Sequence, residues 1–518
     1  MDEIDFSCEM DFHVELKFYD KDLFGKLVFP KETAAYLKLI VNDIFLSLNS
    51  ECKETIECKC GYDIYTLMGC NKIGTKIFPK FIIKNKPADL MTFDEIEISI
   101  SQLNIILHDG HLSNKFEEGA FISPMNQSNF EVDVTDSDSI KSISDDWICW
   151  SNISHEKDVI TKLTQRHIIN IKAKRSLNYE EVIKESRHIC LLFTLLTLIQ
   201  LHINFAWIVH KNKRYCIYFQ SIKQNSIPKT EWYHSIIDLK QIDSDTWINI
   251  INNSYKNISF DRIWARFYGM LSYNSYWEYD FLGFMSIFDY YLSLKYKFKK
   301  QHLNSFKNRY IAQMNDVSKN INRFISLSSG QFERLLIIRN GVAHSDPDKL
   351  DVLDDISVLM ILKKRLIILL NYLALKDLGI SDNTYANSAL CSFNPILLNS
   401  APSKKWLHKI LGDTKTVILQ KVNFEQLKNN SQSTINLIII SNRAGEFIYD
   451  VRLTDMLNKQ IHTIHGKYDN TCDYIDNEFT KYIDGKFMSK YTDRLHIHTI
   501  DQDDFIEATS VYILYEIT

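Results

Sequence analysis

Residues 331–348 read QFERLLIIRNGVAHSDPD and determine the fold predicted for the middle of the chain. Phe332, Leu335 and Leu336 have the spacing of apolar residues on one face of an amphipathic helix. Arg339 follows them by seven, four and three residues, so it lies on the same face and points inward or into an interface. The pattern therefore predicts a helix that carries an inward-facing charge.

The inward-facing Arg339 needs an explanation, because a buried guanidinium costs several kcal/mol unless it meets an anion or a full set of acceptors. In one interpretation it pairs with an interior carboxylate, and His344 is an ordinary histidine near the helix end that Pro347 imposes. In the other, Arg339, the adjacent Asn340 and His344 form a functional site between two long apolar helices. The residues alone leave both interpretations open.

Asp289 is a further candidate for this site. It follows Phe288 and lies four residues after Met285, at the border of the apolar face of its own predicted helix. We predict that it either orients Arg339 or His344 or is an ordinary carboxylate at a helix boundary.

The residues on both sides of this stretch also have helical periodicity. Between residues 281 and 292 the apolar side chains recur at i, i+3, i+4 and i+7, and a long apolar helix is predicted for residues 351–377. Gly379 suits the end of that helix. We therefore predict an all-α helical bundle over residues 258–380.

The first 150 residues have the alternation of half-buried strands, for example at residues 12–18 and 96–100. Short apolar runs between them favour a sandwich or barrel-like β-domain. The polar residues 126–146 predict a loop or an excursion between strands, and residues 151–257 predict a mixed strand and helix continuation that includes a strong helix at 179–201. The N-terminal half is therefore predicted to be β-rich.

The chain beyond the predicted bundle changes character again. Residues 381–403 are polar, contain two prolines and predict a linker, whereas residues 404–518 mix strands with short helices and predict a small mixed α/β C-terminal domain. The fold class predicted for the whole chain is α+β multidomain.

The composition limits the classes of function. The chain has 518 residues, 45% of them hydrophobic, with 15 Gly and 8 Pro, which indicates large cores. A net charge of −5 means that any contact with nucleic acid must come from a local patch. Such a patch is predicted at four lysines that have Tyr296 and Phe298 between them, where the aromatic rings could stack on bases. A solvated basic helix end has the same pattern and is the other interpretation. The lysines are Lys295, Lys297, Lys299 and Lys300.

Most catalytic signatures are missing from the sequence. It contains no phosphate-binding G-x-x-x-x-G-K-[ST] loop, no G-x-S-x-G nucleophile turn and no zinc-binding H-E-x-x-H. The acidic residues at positions 1–7 do not resemble a signal peptide, and the longest apolar stretch, 190–201, is shorter than the roughly 20 residues that span a bilayer. We expect a cytoplasmic protein without a membrane partner.

Two groups of residues leave metal binding open. Four cysteines (Cys52, Cys58, Cys60 and Cys70) lack the paired C-x2-C spacing of common zinc modules, so reduced thiols and zinc ligands are both interpretations. Four C-terminal histidines have His-x2-His and His-x-His spacing, which would suit a metal-dependent enzyme. They are His462, His465, His496 and His498. No metal site or cofactor is predicted from either group.

The run Arg339-Asn340-Gly341-Val342-Ala343-His344 resembles the R-N-x3-H motif of the HEPN ribonucleases at every specified position. Leu67-Met68-Gly69-Cys70 and residues 93–99 are similar to the N-terminal domain of the ApeA type of anti-phage defence proteins within this family. The resemblance covers about residues 1–380 and does not extend to the C-terminal domain.

This resemblance implies metal-independent cleavage of cellular RNA such as tRNA in abortive infection, triggered by a phage-derived cue. It implies that Arg339 and His344 are catalytic, that Asn340 positions the phosphate or the imidazole, and that the site forms across a homodimer or higher even oligomer. The alternative is a non-catalytic HEPN-fold regulatory module that binds RNA or a phage-derived trigger.

Overall fold

The chain divides into two units, Met1–Pro402 and Ser403–Thr518, each with its own internal contacts. A computed structural model describes residues 3–18, 21–30, 33–40, 55–87, 90, 92–107, 115–117, 120–122, 131–134, 138–153, 159–221, 231–239, 242–257, 260–273, 276–296, 305–344, 356–400, 416–430, 438–443, 446–464, 487–499 and 505–516.

Strands dominate the N-terminal half of the first unit. In chain order they are β1 (Met10–Phe18), β2 (Lys21–Phe29), β3 (Tyr36–Ile40), β4 (Thr55–Cys60), β5 (Asp63–Met68), β6 (Asn71–Ile73), β7 (Lys76–Phe78), β8 (Phe81–Lys84), β9 (Phe93–Ile100), β10 (Lys115–Glu117), β11 (Ala120–Ile122), β12 (Glu131–Val134), β13 (Ser139–Ile153), β14 (Val159–Leu177), β15 (Ile203–His210) and β16 (Lys213–Phe219).

Fourteen of these strands form one hydrogen-bonded sheet, and β10 and β11 form a separate pair. The order in the sheet is β12-β13-β14-β9-β15-β16-β8-β5-β4-β1-β2-β3-β7-β6. At its centre, Ile98 of β9 lies opposite Ile169 of β14 on one side and Ala206 of β15 on the other. The prediction of a β-rich N-terminal half is therefore confirmed.

Most of the described residues in the predicted loop or inter-strand excursion at residues 126–146 form strands, namely β12 and the first part of β13. Val132 and Val134 are buried, whereas Glu131 and Asp133, which alternate with them, are exposed. These acidic residues therefore belong to the outer face of a strand at the edge of the sheet.

Helices follow the sheet. They are α1 (Leu103–Leu107), α2 (Tyr179–Thr197), α3 (Ser244–Lys256), a π-helical turn (Phe260–Trp264), α4 (Ala265–Leu271), α5 (Trp277–Lys295), α6 (Phe306–Asn315), α7 (Lys319–Ile325), α8 (Ser329–His344), α9 (Ile356–Asp377), α10 (Asp382–Cys391) and α11 (Pro395–Leu398).

Helix α2 is the long helix that packs on the sheet. Asn178 and Glu181 form a capping box at its start, and Leu198 adopts a left-handed conformation at its end. Its apolar second half is buried, which explains the apolar run at residues 190–201. Among the described helices, none combines the length and apolarity needed to cross a membrane.

Aromatic rings hold α5, α6 and α8 together. The rings of Phe288 and Phe306 lie 5.6 Å apart, and those of Phe306 and Phe332 lie 5.2 Å apart. Tyr310 stacks on Phe332 with ring centroids at 4.2 Å. Such ring pairs contribute about 0.5–1.5 kcal/mol each beyond the area that they bury. They fix the positions of three helices around one small core.

The structure differs from the predicted linker at residues 381–403. Helices α10 and α11 occupy much of it, and Tyr385, Ala389 and Leu397 are buried. Asn394 binds the carbonyls of Leu198 and His234, which ties this segment to the rest of the first unit. Polar composition was misleading here because short helices bury only a few side chains.

The second unit contains β17 (Thr416–Leu419), α12 (Lys421–Asn430), β18 (Ile438–Arg443), β19 (Glu446–Tyr449), α13 (Val451–Ile464), β20 (Phe487–Thr499) and β21 (Phe505–Glu516). The strands form a closed sheet in the order β17-β19-β18-β21-β20, with parallel and antiparallel pairs. Leu419, Phe424 and Ile497 lie in its core. The α+β multidomain class is therefore confirmed.

Two truncations test these boundaries. A chain ending at Pro402 should stay folded, because the first unit has its own core. A chain ending at Ile380 should lose several kcal/mol of stability, since each buried apolar side chain of α10 and α11 contributes about 1.5–3 kcal/mol. Urea unfolding followed by circular dichroism measures both. Equal stability of the two chains would contradict the packing of α10 and α11.

Candidate active site at the end of helix α8

Helix α8 begins at a capping box and buries one face. The Ser328 hydroxyl accepts from the Gln331 backbone N–H, and the Gln331 side chain accepts from the Ser328 backbone N–H. Phe332, Leu335 and Ile338 are buried. Two of the three predicted apolar residues, Phe332 and Leu335, are thus buried, whereas Leu336 is only half-buried. The last turns of the helix carry the R-N-x3-H run.

Arg339 lies at the border of the buried face and not inside the core, with 33% of its side chain exposed. Its Nη2 donates to Asp289 Oδ2 of α5 at 3.1 Å. The guanidinium carbon also lies 5.7 Å from the centre of the Phe306 ring. The anion that the inward-facing arginine was expected to need is thus a carboxylate on α5.

The same carboxylate binds a second arginine. Arg309 of α6 donates from Nη2 to Asp289 Oδ1 at 2.6 Å, and the side chains of Arg309 and Asp289 are 14% and 24% exposed. Two guanidiniums therefore share one carboxylate, which leaves a net positive charge at this place. Arg339 uses one of its five N–H donors on Asp289, so others stay available to a bound anion.

Asn340 and His344 lie on the same last turns of α8. Asn340 is exposed. His344 is the last residue of the helix, and the structure describes its backbone but not its side chain. Five residues in an α-helix correspond to about 7.5 Å along the axis and about 140° around it. Within one chain, positions 339 and 344 therefore do not share a face.

The predicted lysine patch is described in part. Lys295 ends α5 and donates to Gln313 Oε1 at 2.9 Å, and partial burial of its amine lowers its pKa. Lys297, Lys299 and Lys300 lie outside the described residues. Nearby, Lys307 forms an ion pair with Glu333 of α8. An RNA-binding role for these lysines stays a prediction.

Sequence reasoning missed a polar network around α2. Lys141 is fully buried, with its Nζ 3.4 Å from Glu185 Oε2 and 4.3 Å from the centre of the Tyr255 ring. Burial lowers the pKa of Lys141. His188 lies 3.0 Å from Asp261 Oδ1 through its Nδ1. No local motif joins these residues, because they come from β13, α2, α3 and the π-helical turn.

Among the side chains that the structure describes, the residues considered for metal binding do not form a cluster. No cluster of three or more His, Cys, Asp or Glu side chains suited to a metal occurs in the described part of the chain. Cys58 and Cys70 are buried, and burial raises the pKa of the Cys58 thiol to about 12. Cys52 and His465 lie outside the described residues, as do the side chains of His462 and His496.

Comparison with protein-family models finds no matching family, and comparisons with curated proteins and with solved structures find no significant match. Any function must therefore be argued from the chemistry of the site itself.

The shared carboxylate is tested by Asp289→Asn, which leaves two guanidiniums side by side. We expect a loss of about 1–2 kcal/mol in the free energy of unfolding, since the pair is only partly shielded from water. In a chain that already carries Arg339→Gln, Asp289→Asn should lower the free energy of unfolding by less, because the repulsion between Arg309 and Arg339 is no longer present. Urea unfolding of the four chains of this double-mutant cycle measures the coupling. Asp94→Asn, at an exposed position of β9, is the control. Strictly additive effects would contradict the interaction.

Proposed function

We propose that this chain is a metal-independent endoribonuclease of the HEPN type that cleaves cellular RNA in anti-phage abortive infection. The observation that carries the proposal is Arg339, which stands in an R-N-x3-H run at the end of α8 with its guanidinium oriented by Asp289 and partly exposed. A phage-derived trigger would act on the same protein.

The reaction needs a base, an acid and a fixed positive charge. The 2′-hydroxyl of RNA loses its proton and attacks the adjacent phosphorus, while the bond from phosphorus to the 5′-oxygen breaks and that oxygen gains a proton. His344 is assigned the proton transfer, because an imidazole titrates near neutral pH. Arg339 is assigned the charge of the phosphorane, which its planar N–H groups match. The products are a 2′,3′-cyclic phosphate and a 5′-hydroxyl.

One chain does not supply both groups to one phosphate. Positions 339 and 344 are separated by about 140° around α8. Two copies of α8, related by a two-fold axis, would bring Arg339 of one chain to His344 of the other. The proposal therefore includes a homodimer or a higher even oligomer formed through the helical region.

Neighbouring residues would support the substrate. Asn340 is exposed beside Arg339 and is assigned to hold the phosphate or the imidazole. Asp289 is a positioning residue, since it touches Arg339 and not the substrate. Lys295, Lys297, Lys299 and Lys300 are assigned to the RNA backbone, because a chain with a net charge of −5 needs a local positive patch.

A non-catalytic regulatory module is the second candidate. The observation in its favour is the ion pair itself, because Asp289 satisfies Arg339 as it would in a purely structural role. The two candidates differ in what the loss of His344 does. Binding of RNA or of a phage-derived trigger would survive that loss in a regulatory module, whereas an enzyme would become inactive.

Arg339→Ala and His344→Ala should each abolish RNA cleavage. We expect rates lower by about 10² to 10³ for the arginine and about 10² to 10⁴ for the histidine, with wild-type cleavage unchanged in excess EDTA. Gel analysis of total RNA and tRNA measures the rates. Arg334→Ala on the same helix and His13→Ala on β1 are the matched controls.

Melting curves of the same proteins show that the variants are folded. Full cleavage by either folded variant would contradict the mechanism. So would wild-type cleavage that disappears in EDTA and returns with Mg²⁺ or Zn²⁺.

The oligomeric state gives an independent test. The chain has a mass of 60.8 kDa, so light scattering should give twice that value or a higher even multiple. Mixing Arg339→Ala with His344→Ala chains should restore part of the cleavage, because a mixed dimer contains one intact composite site. A monomer that still cleaves RNA would contradict the two-chain site.

A further inference from the structure

A cleft with a volume of about 820 Å³ lies beside α2, away from α8. Lys80, Gln220 and Ser221 line it from the side of the sheet, and Ala265 and Tyr268 line it from α4. Its volume lies within the range of about 300–1,000 Å³ that is common for small-molecule sites. The candidate active site does not use any of these residues.

The walls of the cleft include a buried apolar surface. Ile183, Leu191 and Ile203 line it and are buried. Tyr268 lines the same space and is fixed by a hydrogen bond of 2.6 Å from its hydroxyl to the Leu201 carbonyl. The apolar part of a ligand would lie in this inner part of the cleft, and its charged group would lie at the rim.

Arg187 is the positively charged residue of the cleft that has no carboxylate partner among the described residues. Lys80 pairs with Glu180 at 2.9 Å and Lys184 lies 3.8 Å from Asp261, so these two lysines have carboxylate partners. Arg187 donates to the Gln220 carbonyl, and no described carboxylate lies within ion-pair distance of it. Partial burial lowers the pKa of Arg187, as expected for a guanidinium without a counter-ion.

A second polar group in the cleft lacks a partner. The Ser221 hydroxyl is buried and has no hydrogen-bond partner among the residues that the structure describes. Buried hydroxyls in proteins are generally hydrogen-bonded, so the Ser221 hydroxyl is suited to bind a polar group of a ligand. It adds a polar contact on the side of the cleft where Arg187 binds Gln220.

The wall around Asp261 is rigid. His188 bridges Asp261 and Ser254, with Nδ1 at 3.0 Å from Asp261 Oδ1 and Nε2 at 2.9 Å from Ser254 Oγ. Asp261 belongs to the π-helical turn Phe260–Trp264, a distortion that is frequent at functional sites. Hydrogen bonds therefore hold His188 and Asp261 in place on this side of the cleft.

We propose that this cleft binds a small organic anion of the mononucleotide class. The phosphate would pair with Arg187 and accept from Ser221, and the base would fill the rest of the cleft beside Tyr268. An isolated phosphate would leave most of the cleft unfilled, and a neutral nucleoside would leave Arg187 without an anion.

Calorimetric titration of the full chain tests the site, with AMP, adenosine, inorganic phosphate and decanoate as probes. We expect AMP to bind at least about tenfold more tightly than adenosine or phosphate, as the loss of a charge-assisted contact predicts. Decanoate, which has an anionic head without a base, should bind more weakly than AMP.

Two variants locate the binding. Arg187→Gln should weaken AMP binding about tenfold or more, and Ala265→Trp should prevent it by filling the cleft. Arg452→Gln, on the second unit, is the control. The proposal is overturned if the wild-type chain does not bind AMP, if decanoate binds more tightly, or if both variants bind AMP as the wild type does. Because no RNA is present, the result is independent of whether the chain is a ribonuclease.

Discussion

One carboxylate, Asp289, connects three helices of the first unit. It accepts from Arg339 of α8 and from Arg309 of α6, while it is itself part of α5. The neighbouring residue, Phe288, packs against Phe306 and Tyr310 of α6, and these two rings pack in turn against Phe332 of α8. The apolar core sets the distances between the helices, and the carboxylate sets the direction of the arginines. A guanidinium held in this way loses little freedom when it meets an anion.

Helices α5 and α8 were predictable from the sequence, but the contact of α5, α6 and α8 at Asp289 was not. The apolar periodicity of residues 281–292 and 332–338 is strong enough to place α5 and α8 and to bring Arg339 and Asp289 to the borders of their buried faces. The local sequence around Arg309 gives it no place in this site. Only the packing of α6 against α5 brings it to Asp289, and packing between helices leaves no short motif in the sequence.

The pairing of the strands and the position of the cleft were even harder to predict from the sequence. The alternation of apolar and polar residues predicted strands. The position of β9 between β14 and β15 was not predictable, because it depends on pairings between distant parts of the chain. The cleft joins residues from Lys80 to Tyr268 that are far apart in sequence. Helix α4, which lines the cleft, also packs on α5, where the rings of Phe267 and Phe284 lie 5.9 Å apart. The cleft and Asp289 are thus connected through one packed helix pair.

The two edges of the described sheet bear on how the protein behaves at high concentration. An open sheet presents unpaired backbone groups to other molecules, and long flat edges promote aggregation. The last strands in the sheet order are short, four residues in β12 and three in β6, although β12 pairs with only residues 139–142 of the longer β13. In β12 the outward-facing Glu131 and Asp133 alternate with buried valines, so a second copy that added its own β12 would bring carboxylates together. The acidic residues that looked like a loop in the sequence thus act as gatekeepers against intermolecular strand pairing.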